Sequence, residues 1–325
     1  SGFFLYGVAL VYGFAGSMQF TQINEAIRND TENQSLLLIG MGMIAVGLLF
    51  KVGAVPFHAW TPDVYQGAPT AVTAFMAACT KVAAFGAILR LFYVAFGSDR
   101  WSWQPMLWVV AILSMLVGAV LAVVQTDVKR MLAYSSVSHT GFLLTGVLGV
   151  QSTAELAVGQ VTSLQAVLFY LTTYGFSVIG AFAICTLVRD GAGEAAQFPR
   201  WAGLGRRSPL LAAAFAFFLL SMAGIPLTAG FIGKWSVFAV AMAAGAWPVV
   251  LVAIAASIVA VYFYVRHILL MFFSDPEEGG EIGVITRSSA LTYSTVAVCA
   301  VATLALGVVP GPVLDLAANA GDFIR

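Results

Sequence analysis

Nine long apolar stretches dominate this 325-residue sequence, and each is long enough for a helix to cross a lipid bilayer, although the seventh, with 37 residues, is too long for one straight crossing. They lie roughly at 2–18, 36–55, 70–97, 105–124, 131–150, 164–188, 209–245, 248–273 and 288–309. Only 9% of the residues are charged, whereas soluble domains carry about 25%. The pattern therefore predicts an all-α polytopic membrane protein with about nine transmembrane helices.

No linker separates these stretches, so residues 1–325 are predicted to form a single membrane domain. The chain begins Ser1-Gly2-Phe3-Phe4, already inside an apolar stretch, without an initiator methionine or a basic signal-peptide start. We therefore expect N-terminal helices to precede Ser1 in the natural protein.

Three of the four lysines lie inside the apolar stretches: Lys51, Lys81 and Lys234. A charge at the centre of a bilayer costs roughly 2.5–3.5 kcal/mol even on the mildest scale, and ionisable groups at that depth usually mark an ion or proton path. A desolvated lysine can exchange its proton near neutral pH. The alternative is that these side chains snorkel to the interface, which suits Lys51 best and Lys81 least.

Two of the stretches carry helix-breaking residues. The first contains Gly53 and Pro56, and the second contains Gly224 and Pro226. Proline removes a backbone donor, and freed backbone groups at membrane depth are tolerated only where protein or a water-filled cavity satisfies them. Paired interrupted helices in two halves of a chain are typical of a transporter's binding site.

Histidines accompany these elements, and histidine is a common proton relay at neutral pH. His58 follows the first break, and His139 lies in YSSVSHTGF. Each is either a relay or a histidine satisfied by a backbone carbonyl, and the sequence leaves both readings open. His267, beside Arg266, is predicted to lie at the interface. All 15 acidic residues fall in loops or at span ends, so no carboxylate is expected beside the buried lysines.

Basic residues are distributed unevenly between the two sets of loops, which predicts the orientation in the membrane. One set, predicted to be cytoplasmic, holds Lys129, Arg130, Arg189, Arg200, Arg206, Arg207, Arg266 and Arg287. The other set and the tail hold only Arg28, Arg100 and Arg325, with Arg90 near a span end. The C-terminus is therefore predicted to lie outside.

Several kinds of site are not indicated by the sequence. The three cysteines lack metal-type spacing, and no glycine-rich nucleotide-binding motif is present. Lys plus Arg equals Asp plus Glu at 15 each, so no basic surface suggests a nucleic acid. We expect this chain to bind no redox cofactor and no metal.

Three segments closely resemble the N-type subunits of bacterial NADH–quinone oxidoreductase, respiratory complex I, which belong to a family of antiporter-like membrane subunits. They are FKVGAVPFHAWTPDVYQGAPT, QTDVKRMLAYSSVSHTGF and GIPLTAGFIGKW. The resemblance runs over nearly the whole chain. WTPDVYQGAP is specific, because sister subunits and cation/proton antiporter subunits tend to carry a PDAH-type sequence there.

The resemblance implies a fourteen-helix fold with inverted repeats, of which this chain would supply helices six to fourteen. It implies that Lys51 is a switching cation paired with a glutamate upstream of Ser1, that Lys81 is a central relay, that His139 bridges onward and that Lys234 holds the proton before release. NADH, FMN, iron–sulfur clusters and quinone would be bound by other subunits. Sister antiporter-like subunits of the membrane arm and the bilayer of the bacterial inner membrane would be the partners.

Two other functions stay open at the level of sequence. The chain could be a cation/proton antiporter subunit of a multisubunit antiporter, although a sodium site would favour buried oxygen ligands. It could also be a structural membrane subunit that conducts nothing, in which case the buried lysines are dispensable.

Overall fold

The computed structural model describes residues 1–29, 34–150, 152–156, 159–191, 193–275, 283–285 and 289–320. Within these ranges the chain is mostly helical. Arg287 and Arg325, which the sequence predicts on opposite sides of the membrane, lie outside the described residues.

Fifteen helices and five short strands make up the described structure. The helices are α1 Gly2–Ala15, α2 Phe20–Asn29, α3 Gln34–Val52, α4 Trp60–Gly67, α5 Thr70–Phe75, α6 Lys81–Arg90, α7 Arg100–Val123, α8 Val128–Val147, α9 Ser163–Leu187, α10 Leu204–Arg207, α11 Pro209–Ala223, α12 Ala229–Ala243, α13 Trp247–Phe273, α14 Ala290–Val308 and α15 Gly311–Asn319. The strands are β1 Thr153–Leu156, β2 Gly159–Thr162, β3 Val188–Asp190, β4 Gly193–Glu194 and β5 Val284–Ile285. A turn of π-helix at Met76–Thr80 joins α5 to α6, and a second at Leu91–Ala95 extends α6.

Six helical segments among the described residues are long and apolar enough to cross a membrane. They are Gln34–Val52, Thr70–Ala95, Gly97–Val123, Ser163–Leu187, Trp247–Phe273 and Ala290–Val308. The pair α1 and α2, bent by 57°, makes a seventh if it is taken as one span. Helix length and composition therefore do not confirm the predicted number of nine, nor do they test the inverted repeats.

Each of the three remaining predicted spans departs from a long apolar helix for a physical reason. The first predicted span, 2–18, is part of the pair α1 and α2, which is bent by 57°. The fifth is α8, whose lysine, arginine, histidine and hydroxyl side chains make it too polar. The seventh is divided into α11 and α12, which have 15 residues each and so reach only about 22 Å apiece.

Helix α8 lies at the centre of the bundle, where it packs against α7, α9 and α12. Eighteen of its 20 residues are buried, so its polar side chains face other helices rather than lipid. Glycine makes the closest of these contacts possible, because a Cβ on Gly118 would lie 2.5 Å from the Ser138 nitrogen. Small residues allow this backbone-to-backbone approach between helices in membranes.

The two helices that carry most of the site begin at well-defined caps. Asp127 accepts a hydrogen bond from the Arg130 amide, 2.9 Å away, at the start of α8. Thr162 and Gln165 form a reciprocal capping box at the start of α9. Because α9 follows β2 and precedes β3, the β1–β2 hairpin and the β4–β3–β5 sheet lie at opposite ends of this 25-residue helix.

Candidate functional site: a buried line of lysine, histidine and tyrosine

Lys81 is buried in the interior of the protein, with 3% of its surface exposed. It follows directly on the π-helical turn Met76–Thr80. Its ammonium group donates to both the carbonyl and the hydroxyl oxygen of Ser136, each 2.7 Å away, and lies 5.0 Å from the centroid of the Tyr174 ring. Turns of π-helix inside α-helices are frequent at functional sites, because they re-aim the side chains that follow.

Lys234, in α12, is also buried, with 5% of its surface exposed. Its ammonium group donates to the carbonyl of Ala223 at 2.9 Å and to the Ser257 hydroxyl at 3.2 Å. Ala223 is the last residue of α11, and the last carbonyls of a helix have no partner within it. The second helix break therefore supplies the acceptor that holds this lysine.

His139 lies between the two lysines and is almost fully buried. Its Nδ1 is 2.7 Å from the Tyr170 hydroxyl, and its Nε2 is 3.5 Å from the Tyr264 hydroxyl. The Tyr174 ring that touches Lys81 also lies 4.7 Å from the imidazole, centroid to centroid. One aromatic ring thus contacts both Lys81 and His139.

A single stripe of α8 connects these groups. Ser136, His139 and Phe142 are spaced three residues apart, which places them on one face of the helix over about 9 Å. Ser136 binds Lys81, and the Phe142 ring centroid lies 4.6 Å from the Lys234 ammonium. The order along the stripe is therefore Lys81, His139, Lys234.

Neither buried lysine has a carboxylate partner within the part of the chain that the structure describes. The ion pairs among the described residues involve other lysines and arginines. The most buried of these pairs joins Lys129 to Glu194 at 3.3 Å. Both ammonium groups are held by neutral oxygens and aromatic faces alone. Such an arrangement binds a proton without fixing it in a permanent ion pair.

Lys51 is not part of this line. It is exposed near the C-terminal end of α3 and lines a cavity of about 380 Å³ together with Cys79 and Thr80. Thr80 precedes Lys81, so the cavity borders the helix that carries the central lysine. The structure thus places Lys51 at the surface of the described bundle.

The first helix break lies between α3 and α4 and contains Gly53, Pro56 and His58. Gly53 has a φ of 72°, and a Cβ there would lie 2.6 Å from the Thr61 hydroxyl, so only glycine fits. The freed Val52 carbonyl accepts from the Thr140 hydroxyl of α8 at 2.9 Å. A hydroxyl of α8 therefore satisfies one of the carbonyls that the break releases.

His58 is half-buried in this segment and does not contact Lys81 or His139. Its Nδ1 and the nearby Thr61 Oγ1 are buried without a hydrogen-bond partner among the described residues. Like the first break, the second has a left-handed glycine, since Gly224 has a φ of 87°, and here Leu227 is left-handed as well, with a φ of 71°. Pro226 lies between these two left-handed residues.

The sequence prediction missed the tyrosines around His139 and the burial of His267. Tyr170 and Tyr174 lie one turn apart in α9, on the same face as Ser177, and this polar spacing in an apolar helix was the available signal. His267 is fully buried inside the protein near the end of α13, a burial that the sequence prediction did not include. The segment Phe198–Trp201 folds over it, which no local pattern around residue 267 indicates.

A metal site is not formed by the residues that the structure covers. Among them, no three His, Cys, Asp or Glu side chains are close enough together to hold an ion. The site is chemically suited to binding and transferring protons.

A family profile described as NADH:quinone oxidoreductase/Mrp antiporter, transmembrane, matches residues 1–260 of the chain. The chain is 76% identical over 327 residues to NADH-quinone oxidoreductase subunit N of Nocardioides sp. strain JS614, covering 100% of this chain and 61% of that protein. It is 56% identical to the subunit N of Parafrankia sp. strain EAN1pec, covering 100% and 60%. The chain thus spans about three fifths of the length of the curated relatives it matches.

Solved structures share the fold. A chain of respiratory complex I from Thermus thermophilus with bound aureothin superposes with a TM-score of 0.79 at 37% identity, covering 97% of this chain and 65% of that one. A chain of the Mrp complex from Dietzia sp. DQ12-45-1b superposes with a TM-score of 0.85 at 24% identity, covering 99% and 65%. At this lower identity the likeness is one of fold alone.

Proposed function

This chain belongs to the NADH:quinone oxidoreductase/Mrp antiporter transmembrane family, and we propose that it translocates protons as a membrane subunit of bacterial NADH–quinone oxidoreductase. The proposal is supported by the relatives named subunit N, which match the whole of this chain. The subunit takes part in a proton-translocating oxidoreductase without performing redox chemistry itself.

One observation carries the proposal: two buried lysines without carboxylate partners, among the described residues, are joined through His139 along one face of α8. Lys81 binds Ser136, and Lys234 lies over Phe142. Burying even one such charge at membrane depth is costly, and a purely structural subunit gains nothing from it. An antiporter for sodium would need buried oxygen ligands of higher charge than these hydroxyls and carbonyls.

Each residue has a role in the proposed path. Lys51 is the switching cation, paired with a carboxylate that lies upstream of Ser1. Lys81 is the central relay. When a charge approaches or leaves Lys51, the Coulomb interaction changes the affinity of Lys81 for its proton. His139 passes the proton onward to Lys234, which keeps it until release. His58 and the two helix breaks give the path hydrogen-bonding groups at membrane depth.

We further propose that the chain makes nine crossings of the bacterial cytoplasmic membrane and belongs to a fold with inverted repeats, of which it supplies helices six to fourteen. Backbone hydrogen bonds between residues 126–128 and 196–198 bring the start of α8 and the end of α9 together at one end of the bundle. Lys129, Arg130, Arg206 and Arg207 lie at this end, which is therefore the cytoplasmic one. The C-terminus lies outside.

Coupling comes from other subunits. Moving one charge against 100 mV takes about 2.3 kcal/mol, and this chain binds no NADH, FMN, iron–sulfur cluster or quinone that could supply it. Those groups belong to neighbouring subunits of the complex. Sister antiporter-like subunits adjoin this one in the membrane arm.

The substitution Lys81→Ala tests the proposed function. In inside-out membrane vesicles that contain the assembled complex, we expect fewer protons to be taken up per NADH oxidised, while the amount of assembled complex on a native gel is unchanged. The reason is that no other group of α6 replaces the relay at that depth. A complex that carries Lys81→Ala and keeps the wild-type ratio of protons to NADH would contradict the proposal.

A further inference from the structure

His267 is a buried histidine that the proposed path does not use. It lies two turns from the end of α13, and the rings of Phe198, Trp201 and Phe215 surround it at centroid distances of 4.7, 5.4 and 5.7 Å. Neither ring nitrogen has a hydrogen-bond partner within the described residues. Because buried polar groups are nearly always paired, a histidine with two unpaired nitrogens needs an explanation beyond packing.

Tyr264 lies one turn from His267 on the same face of α13, since residues three apart are neighbours on a helix. Its hydroxyl is 3.5 Å from the His139 Nε2 and shares a hydrogen bond with the Ser135 hydroxyl. The other nitrogen of His139 is taken by Tyr170. Helix α13 therefore reaches the buried line at two points, through Tyr264 at His139 and through Ser257 at Lys234.

An open groove approaches His267 from the end of the bundle that carries the basic residues. The groove encloses about 760 Å³, and Thr126, Gln197, Phe198 and Arg266 are among the residues that line it. Arg266 precedes His267 in the chain, and the guanidinium donates to the Val123 carbonyl at 3.0 Å, which fixes it in the groove wall. The ring of Phe198, which lines the groove, is in contact with His267, so one aromatic ring separates the histidine from the open groove.

We propose that His267 and Tyr264 form the proton-uptake branch that loads His139 from this groove. The inference rests on the proposed function, because it requires His139 to relay protons. His267 accepts a proton on one ring nitrogen and gives up the proton of the other. The Tyr264 hydroxyl accepts a proton while it passes its own to the His139 Nε2. His267 is left as its other tautomer and regains its starting form when the ring turns over, and the Tyr264 hydroxyl regains its own by rotating about the C–O bond. The net change is one proton moved inward without any electron transfer.

The test uses the assembled complex in inside-out vesicles, where the groove faces the external medium and an external pH indicator reports proton uptake. Tyr264→Phe removes only the hydroxyl, and His267→Phe keeps an aromatic ring in the cage. A positioned proton-transfer group contributes roughly 10²–10⁴-fold to a transfer rate, so either change leaves the branch too slow for turnover. We expect each variant to lose about as many protons per NADH as Lys81→Ala does.

Tyr12→Phe is the matched control, because Tyr12 is an exposed tyrosine of α1, and it is expected to keep the wild-type ratio. The rate of NADH oxidation with a soluble acceptor and the amount of complex on a native gel show whether each variant assembles. A packing defect lowers this rate and this amount, and not only the number of protons taken up per NADH. If His267→Phe does not assemble, His267→Gln is judged by the same ratio.

The outcomes separate the two proposals. A wild-type ratio in Tyr264→Phe or in the assembled variant at position 267, beside a lowered ratio in Lys81→Ala, overturns the branch and leaves the proposed function standing. A wild-type ratio in Lys81→Ala removes the proposed function, and the branch falls with it. Lowered ratios in all three variants, with assembly intact, support both.

Discussion

The substitution Gly224→Ala probes whether the second helix break positions Lys234. Gly224 has a φ of 87°, and an L-residue in this left-handed region costs roughly 1–2 kcal/mol. The added Cβ would also lie 3.0 Å from the Cδ and 3.4 Å from the Nζ of Lys234. The Lys234 side chain must then shift by a few tenths of an ångström at its Cδ, which disturbs the 2.9 Å hydrogen bond from its ammonium group to the Ala223 carbonyl.

Gly245→Ala is the matched control for this substitution. Gly245 has a φ of 81°, but a Cβ there would meet nothing within 4 Å. Both variants should therefore lose about 1–2 kcal/mol of stability, measured as a lower Tm of the purified complex. Only Gly224→Ala should lower the number of protons taken up per NADH oxidised. Equal proton ratios in the two variants would refute the reasoning that the break holds Lys234 in place.

The remaining predictions concern Lys81 and the ion pair of Lys129. Lys81→Arg should lower proton uptake per NADH nearly as much as Lys81→Ala, because a guanidinium stays protonated above about pH 12; a fully coupled arginine variant would indicate a fixed charge rather than a relay. Glu194→Ala leaves Lys129, whose side chain is 6% exposed, without its carboxylate and should cost about 3 kcal/mol. Asp275→Ala breaks an exposed pair with Arg206 and should cost less than about 1 kcal/mol; equal Tm shifts for the two variants would contradict this.

Much of the candidate site can be located from the sequence because charges and helix breakers stand out in apolar segments. Lys81 and Lys234 are buried where the apolar stretches place them, and the two breaks coincide with Gly53 and Gly224. Their proposed roles in proton transfer are not tested by the structure. Lys51 follows the same pattern in sequence but lies at the surface of the described bundle.

The groups that join these residues could not be predicted, because they depend on contacts between distant segments. Tyrosine fills an apolar helix much as phenylalanine does, so only the packing of α9 and α13 around α8 gives Tyr170 and Tyr264 their partner, His139. The π-helical turn before Lys81 lies in MAACT, which has no glycine or proline to mark it. His267 is buried by residues about 70 positions away, so its depth is not a local property.

The central claim is that Lys81 and Lys234 act in series on one path, and a double substitution tests it most directly. Variants in one pathway are not additive, whereas independent sites add. We therefore predict that Lys81→Ala, Lys234→Ala and the double variant take up the same lowered number of protons per NADH in inside-out vesicles of assembled complex. A double variant that loses the sum of the two single losses would show that the lysines serve separate paths and would contradict this account.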